Sequence, residues 1–387
     1  MNKIQEQIIY NKANNILLEL PTGYGKTRLS LEICKKHNPN TILIVVNRIV
    51  HKENWNCEIN KWWPNCKATI KMITYASLHK AEGIYDVVIY DECHHLSERC
   101  REIVPTIKAK YNILLSATVG TNLKVELRLL FPNLSITTVS LRKAINDNRL
   151  PDPKIILLPL ELDCIHKTDT YVMYPKYGNP IDCTFENRWS YLKLKRTINI
   201  KCTERQYYNI MDGKIEWLRN RFYATHNEAM KHKWLKLCGD RLVWLSNKKN
   251  NIILEILSKL KNKRTLTFCN SIAQTEVLGK YCINSKNGSS LAYLQKFNDN
   301  KIKHITACNI LNEGMNLINC QIGIYANLNS SDIIVKQRTG RILRHKEPII
   351  IIPYYKGTRE VELVNKMLEN YNKDLITIIN SIDELKI

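Results

Sequence analysis

Short, nearly unbroken apolar runs recur along the first third of the chain and again along its last third, with stretches of helical character between them. Asn15 to Leu20 is the first such run, and Arg28 to Lys36 is the helical stretch after it. Thr41 to Val46, Ala68 to Thr74, Asp86 to Tyr90 and Tyr111 to Leu115 read as further strands, with a helix over His51 to Trp63. Runs that are apolar at almost every position suit strands covered on both faces, so the alternation predicts βαβ units around a parallel sheet. The pattern breaks near residue 145 and resumes at Arg264. Strands over Arg264 to Cys269, His304 to Cys308, Gln321 to Ala326 and Pro348 to Pro353, a helix over Ile272 to Tyr281 and a helical tail from Arg359 predict a second sheet of similar size. The expected fold class is α/β: two parallel-sheet domains in tandem, 1–148 and 263–387, around a basic, mainly helical segment 149–262.

That middle segment opens on the breaker Leu150-Pro151-Asp152-Pro153 and a strand over Lys154 to Leu162. Asp163 to Asn199 has little periodicity, whereas Thr203 to Asn220 and Glu228 to Leu260 read as helices that could pair as a hairpin. The segment also carries much of the charge. The whole chain has 58 Lys and Arg against 36 Asp and Glu, a formal +22 over 387 residues. From Glu186 to Lys263, 18 Lys and Arg stand against 7 Asp and Glu, half of the excess in a fifth of the chain. Such a balance points to a polyanionic partner, nucleic acid first. Trp189, Tyr191, Tyr207, Tyr208, Trp217, Phe222, Trp234 and Trp244 are interleaved with those charges, a mixture that suits a single strand, although aromatics at helical spacing more often fill a small core. Lys231, Lys233 and Lys236 are the candidate phosphate contacts.

Thirteen cysteines are scattered without a C-x-x-C pair or zinc-ligand spacing, which reads as reduced thiols in a cytoplasmic protein. The N-terminal stretch lacks the apolar core of a secretion signal, and no apolar run reaches the ~20 residues that a membrane helix needs. Abundant Asn, Lys and Ile suit an AT-rich coding sequence, a weak pointer to a phage, virus or low-GC microbe.

The chemistry is concentrated where strands end. Gly23-Tyr24-Gly25-Lys26-Thr27 lies between the first strand and its helix. Glycines there let the backbone turn tightly, so that its N–H groups and the helix N-terminus point at an anion. Lys26 would reach the β/γ-phosphates of a nucleotide, and the Thr27 hydroxyl would ligate Mg²⁺. Leu20 stands where the general phosphate-loop pattern has its first glycine. Asp91 and Glu92 follow the strand ending at Tyr90 and so should lie beside that loop, because ligands of open α/β sheets sit at the carboxyl ends of the strands. One carboxylate can hold Mg²⁺ while the other accepts a proton from attacking water.

Taken in order, these motifs resemble those of superfamily 2 helicases. Gly23 to Thr27 is similar to motif I, Asp91-Glu92-Cys93-His94 to the DExH form of motif II, Ser116-Ala117-Thr118 to motif III, Asn312 to Asn316 to motif V, and Gln337 to Arg344 to the Q-x-x-G-R-x-x-R of motif VI. Ser140 to Leu150 is similar to a linker in the branch of type III restriction subunits, XPB-like and phage UvsW-type helicases, which favours DNA over RNA. The resemblance implies two RecA-like domains, ATP and Mg²⁺ as cofactors, Gln5 reading adenine and Gly314 at the nucleotide. It implies Arg341 and Arg344 as catalytic cations, with Gln337 and His94 sensing closure of the cleft and Ser116 and Thr118 coupling hydrolysis to motion. Arg48, Thr74 and Asn270, at motifs Ia, Ib and IV, would face the nucleic-acid backbone. Asn316 and the pair Asn54-Trp55 depart from the family pattern. The expected activity is an ATP-driven nucleic-acid motor, expected as a monomer and with possible repair, replication or nuclease partners. An ATP-gated clamp, a motor subunit for a separate nuclease, or an RNA helicase are the alternatives.

Overall fold

The computed structural model describes residues 3–174, 179–194, 196–308, 317–329 and 331–387, with the backbone alone at 332, 333 and 336. The first sheet is built from β1 (Asn15–Glu19), β2 (Thr41–Val46), β3 (Thr69–Thr74), β4 (Ile84–Tyr90), β5 (Lys108–Ser116) and β6 (Ser135–Thr138). Their order is β3-β2-β4-β5-β1-β6, every pairing parallel. Leu17 and Leu18 of β1, Ile42 to Val46 of β2 and Val87 to Tyr90 of β4 are buried on both faces, which is why these strands show no alternation of apolar and polar residues. A wholly parallel sheet sends all its strand ends to one edge. The loops after β1, β2, β3, β4 and β5 therefore share that edge, although about a hundred residues separate the first from the last.

The second sheet contains β7 (Lys154–Leu160), β11 (Thr265–Phe268), β12 (Cys282–Ile283), β13 (His304–Ala307), β14 (Ile322–Tyr325), β15 (Ile349–Tyr355) and β16 (Ile376–Ile378). Its order is β12-β13-β11-β14-β15-β7-β16, again all parallel. Here the structure differs from the segmentation read from sequence. β7 lies inside 149–262 yet pairs along its whole length with β15, from Lys154 opposite Ile349 to Leu160 opposite Tyr355. The helix Asn250–Lys259 also belongs to this body, with Ile253 and Ile256 buried against Ile156, Leu158 and Ile324. Breakers at 150–153 mark a loop but cannot say which sheet receives the next strand, since that depends on pairing across 200 residues.

What stands apart is a small subdomain spliced between β7 and that helix. Its aperiodic half folds as three short strands, β8 (Asp169–Met173), β9 (Ile181–Cys183) and β10 (Ile198–Cys202), in the order β8-β10-β9. Its helical half is a hairpin of Glu204–Thr225 and Glu228–Lys248. The first helix starts with a capping box, Thr203 and Gln206 satisfying each other's backbone N–H, and ends at His226 in the left-handed region. Tyr171, Ile198, Ile200, Ile210 and Met211 form the subdomain's own core, with Tyr207 stacked on Trp244 at 4.9 Å. Trp189 and Trp217, by contrast, are exposed. All thirteen cysteines are free thiols, most of them buried.

Charged pairs fasten the subdomain to the second sheet. Lys249 Nζ lies 2.6 Å from Glu360 Oε1 with both side chains out of contact with water, and it also donates to the Pro353 carbonyl. Glu360 in turn accepts from the Tyr355 N–H. Arg205 donates to the Gly357 and Lys356 carbonyls, while Lys248 ties the subdomain together internally by bridging Asp169 (2.7 Å) and Glu204 (3.0 Å). A buried ion whose partner is removed keeps its desolvation penalty without compensation. Lys249→Met should consequently cost about 3–5 kcal/mol, read as a lower denaturant midpoint, and a midpoint equal to the parent's would show that the pair does not hold this junction.

Candidate active site

The phosphate loop leaves β1 through Leu20 and turns at Gly23 (φ 90°) and Gly25 (φ 96°), the latter standing at the N-terminus of the helix Lys26–His37. No side chain caps that helix, so its first N–H groups remain available to an anion. Leu20 is fully buried and does not have a positive φ, so the loop closes without glycine there, and its carbonyl accepts from Lys26 Nζ at 3.1 Å.

Two strands away, β4 ends in the acid pair. Asp91 Oδ2 accepts from Trp55 Nε1 at 2.9 Å, and the Asp91 carbonyl accepts from the Tyr75 hydroxyl at 2.9 Å. Burial first, and the neighbouring Glu92 charge second, push the Asp91 carboxyl up to about 6. Such a group suits a place where a cation arrives. Glu92 sits in the left-handed region at φ 50°, a backbone cost of roughly 1 kcal/mol or more for a residue with a Cβ. That turn aims its carboxylate back at the loop, with Oε1 3.9 Å from Lys26 Nζ and Oε2 buried without a hydrogen bond. His94 Nδ1 lies 3.4 Å from Glu92 Oε2 and 2.9 Å from Ser116 Oγ, and the Ser116 hydroxyl donates to the Thr118 carbonyl. The acid pair is thus linked to the end of β5 through one imidazole.

The other wall comes from the second sheet. Along the helix Asp332–Ile342, Gln337, Arg338 and Arg341 are buried. Arg338 donates to the Asn327 and Cys269 carbonyls and lies over Phe268, which makes it a support for the second sheet. Arg341 and Arg344 instead line a cavity of about 630 Å³ together with Gly23, Tyr24, Gly25, Lys26, Thr27, Asp91 and Glu92. That volume is in the range of small-molecule sites. Arg341 is buried, whereas Arg344, just past the helix end, is exposed to solvent. The two walls meet at Gly340: a Cβ there would stand 2.4 Å from Thr22 Cβ and 3.2 Å from the Thr22 carbonyl oxygen.

Gln5 lines the same cavity. So do residues that the motifs did not single out: Arg28, whose guanidinium lies 4.1 Å from the Trp62 ring, Trp62 itself, Glu58, which accepts from Trp62 Nε1, and Arg149. The i,i+4 spacing of Glu58 and Trp62 places both on one helix face, a signal visible in sequence but not assignable to a site without the neighbouring loop. Arg48 is exposed just after β2, Thr74 ends β3 with its hydroxyl 3.3 Å from Ser77 Oγ, and Asn270 follows β11 with its N–H on Gln274. All three are at carboxyl ends of strands. Gly314, with Asn312 and Asn316, lies outside the described residues. Lys233 and Lys236 are exposed on the helix Glu228–Lys248, where Lys231 pairs with Glu228 at 3.1 Å. They belong to the subdomain and line no part of the cavity.

Comparison with known proteins agrees with this geometry. Residues 1–82 match the model of the type III restriction enzyme res subunit, and residues 248–346 match the helicase conserved C-terminal domain. The chain is 24% identical over 392 residues to the DNA 3'-5' translocase XPB2 of Sulfurisphaera tokodaii, covering 91% of this chain and 80% of that protein. In fold it is similar to the Pyrococcus furiosus Hef helicase domain (TM-score 0.53, 14% identity, 95% of this chain and 98% of the other). It is also similar to S. cerevisiae Dbp5 bound to RNA and ADP BeF3 (TM-score 0.58, 11% identity, 98% and 89%). Tandem parallel sheets enclosing a phosphate loop, an acid pair and facing arginines define a nucleic-acid-dependent ATPase of the helicase and translocase class. These matches support a superfamily 2 helicase related to the type III restriction subunits and the XPB-type translocases.

The Gly340 contact sets a steric limit on closure of the two walls. Gly340→Ala should prop them apart and lower the maximal ATPase rate at least ~10-fold, because a small misplacement of catalytic groups is expensive. Wild-type turnover in that variant would mean that the approach of Gly340 to Thr22 is not part of the working state.

Proposed function

We propose that this protein is an ATP-driven DNA motor in which Lys26, Thr27 and Asp91 hold a Mg-nucleotide, Glu92 orients water, and Arg341 and Arg344 neutralise charge on the γ-phosphoryl group. The observation that carries this reading is that groups from both sheets line one cavity beside an uncapped helix N-terminus. The orphaned buried atoms Thr22 Oγ1 and Glu92 Oε2 fit a ligand that brings donors and a cation. Among the described residues no cluster of three or more His, Cys, Asp or Glu could hold a metal by itself. A Mg²⁺ at Asp91 and Thr27 would therefore take most of its ligands from phosphates and water, the usual habit of that ion. The nucleotide supplies a phosphoryl group for in-line displacement by water. Glu92 accepts the proton of that water, and Arg341, on the last turn of its helix, and Arg344, in the turn just after it, line the same cavity and act on the same group. His94, hydrogen-bonded to Ser116, passes a shift of the acid pair to the end of β5, while Gln337 follows the movement of the second sheet.

DNA is favoured over RNA because the relative that aligns along most of this chain is named as a DNA translocase, and the basic subdomain suits a polyanion. Lys26→Ala should abolish DNA-stimulated ATP hydrolysis, and Glu92→Gln should slow turnover by about 10²–10⁴ while ATP binding persists. Steady-state ATPase with DNA, with RNA and with neither, followed by strand displacement, tests the reading: equal activity of Lys26→Ala and parent would remove the site assignment. Stimulation by RNA alone would reverse the choice of substrate, and DNA-stimulated hydrolysis without displacement would favour a translocase or clamp over an unwinding enzyme.

The path over the subdomain has its own test. Reversing Lys231, Lys233 and Lys236 to Glu should weaken DNA binding and lower the salt slope by ~0.7–0.9 for each phosphate that is no longer neutralised. Hydrolysis without DNA should stay at the parent's level. A triple variant with the parent's affinity and salt dependence would confine the path to the two sheet domains.

A further inference from the structure

Four arginines line the nucleotide cavity: Arg28, Arg149, Arg341 and Arg344. Arg28 lies over Trp62, and Arg341 and Arg344 engage other groups of the protein. Arg149 differs, because among the described residues its half-buried guanidinium has no hydrogen bond, ion pair or ring contact. Its five donors are thereby left to water or to a ligand that brings acceptors into the cavity.

Its placement is specific. The helix Leu141–Asn146, capped by Ser140, ends with Asn148 in the left-handed region at φ 52°, and the N–H groups of Arg149 and Leu150 both return to the Ala144 carbonyl. This turn buries Leu150 against the phosphate loop, with Leu150 Cδ2 3.1 Å from where a Gly23 Cβ would stand. Leu150 anchors the segment, and the side chain before it enters the cavity at the loop that holds Lys26. Including it, five cationic side chains face three carboxylates around the cavity, Lys26 and the four arginines against Glu58, Asp91 and Glu92. The surplus is positive, as an anionic Mg-nucleotide requires.

We propose that Arg149 is a phosphate ligand of the nucleotide, supplied by the segment that joins the two sheets. This rests on the nucleotide-site reading above and adds a consequence. The chain runs from β6 of the first sheet through Arg149 to β7 of the second, so a nucleotide that engages Arg149 fixes the elbow between the sheets as well as their facing walls.

The test compares Arg149→Ala, Arg149→Lys and Lys26→Ala in the full chain, by steady-state ATPase at varied ATP and GTP and by the rise in Tm on adding MgADP. Arg149→Ala should raise the KM for ATP about 10-fold or more, since hydrogen bonds from a cation to an anion are among the strong ones. It should also shrink the MgADP-induced rise, with the nucleotide-free Tm unchanged. Arg149→Lys should recover part of both, because a point charge reaches phosphate without the guanidinium fork. The ratio of ATP to GTP use should not move, as both carry the same phosphates. A parental KM and Tm rise in Arg149→Ala, beside a Lys26→Ala that has lost hydrolysis, would overturn the role of Arg149 and leave the site intact. Undiminished hydrolysis in Lys26→Ala would instead overturn the site itself. A changed ATP to GTP ratio would make Arg149 a reader of the base, and a fall in nucleotide-free Tm with KM unchanged would make it a structural residue; either overturns the phosphate assignment.

Discussion

The approach of Gly340 to Thr22 is the constraint on which the rest of the site depends. A hydrogen in place of a methyl lets a helix of the second sheet seat directly on the phosphate loop of the first, and this brings Arg341 to the wall facing Lys26. A side chain of any size there would hold the arginines back, and charge neutralisation falls off quickly with distance in a partly hydrated cleft. Any separation of the sheets would have to break this contact, so the site ties chemistry to motion at this point.

Behind that contact the first sheet is organised to keep the acid pair responsive. Glu92 is held in a left-handed turn with one carboxylate oxygen left unbonded, whereas Asp91 is held tightly by Trp55 and Tyr75. The rigid member suits the holding of a cation, and the less constrained member suits the proton-accepting role proposed for it. A chain of short contacts runs from Glu92 through His94 to Ser116, so a shift of one carboxylate is felt at the end of the neighbouring strand. Glu19 supports this from beneath: burial disfavours its charge, but hydrogen bonds from Lys124, Val119 and Thr138 outweigh that and keep its carboxyl below the usual range. The strand that feeds the phosphate loop is thereby tied to the residues just after Thr118.

The subdomain between β7 and β11 follows a different logic. Its small core is stabilised mainly by aromatic stacking and aliphatic residues, and its attachment relies on the buried Lys249–Glu360 pair with the Arg205 contacts. Several of its aromatics are used internally, Tyr207 on Trp244 and Phe222 beside Trp234, while basic side chains and the exposed Tyr174, Trp189, Trp217 and Tyr223 stand on its surface. The charge density seen in the sequence is therefore carried by a body fixed to the second sheet.

By itself the sequence determined the two parallel sheets, the phosphate loop and the acid pair, because each is encoded locally: an apolar run buried on both faces, two glycines before a lysine, two carboxylates at a strand end. It did not determine that β7 belongs to the second sheet or that residues 163–202 form a small sheet, since pairing over long separations and short irregular strands leave little periodic trace. Nor could it show that Glu58, Trp62 and Arg149 meet the cavity at the phosphate loop. Those three owe their positions to the packing of a helix, a linker turn and a second domain around one loop, and only the tertiary structure brings such distant segments within reach of a single ligand.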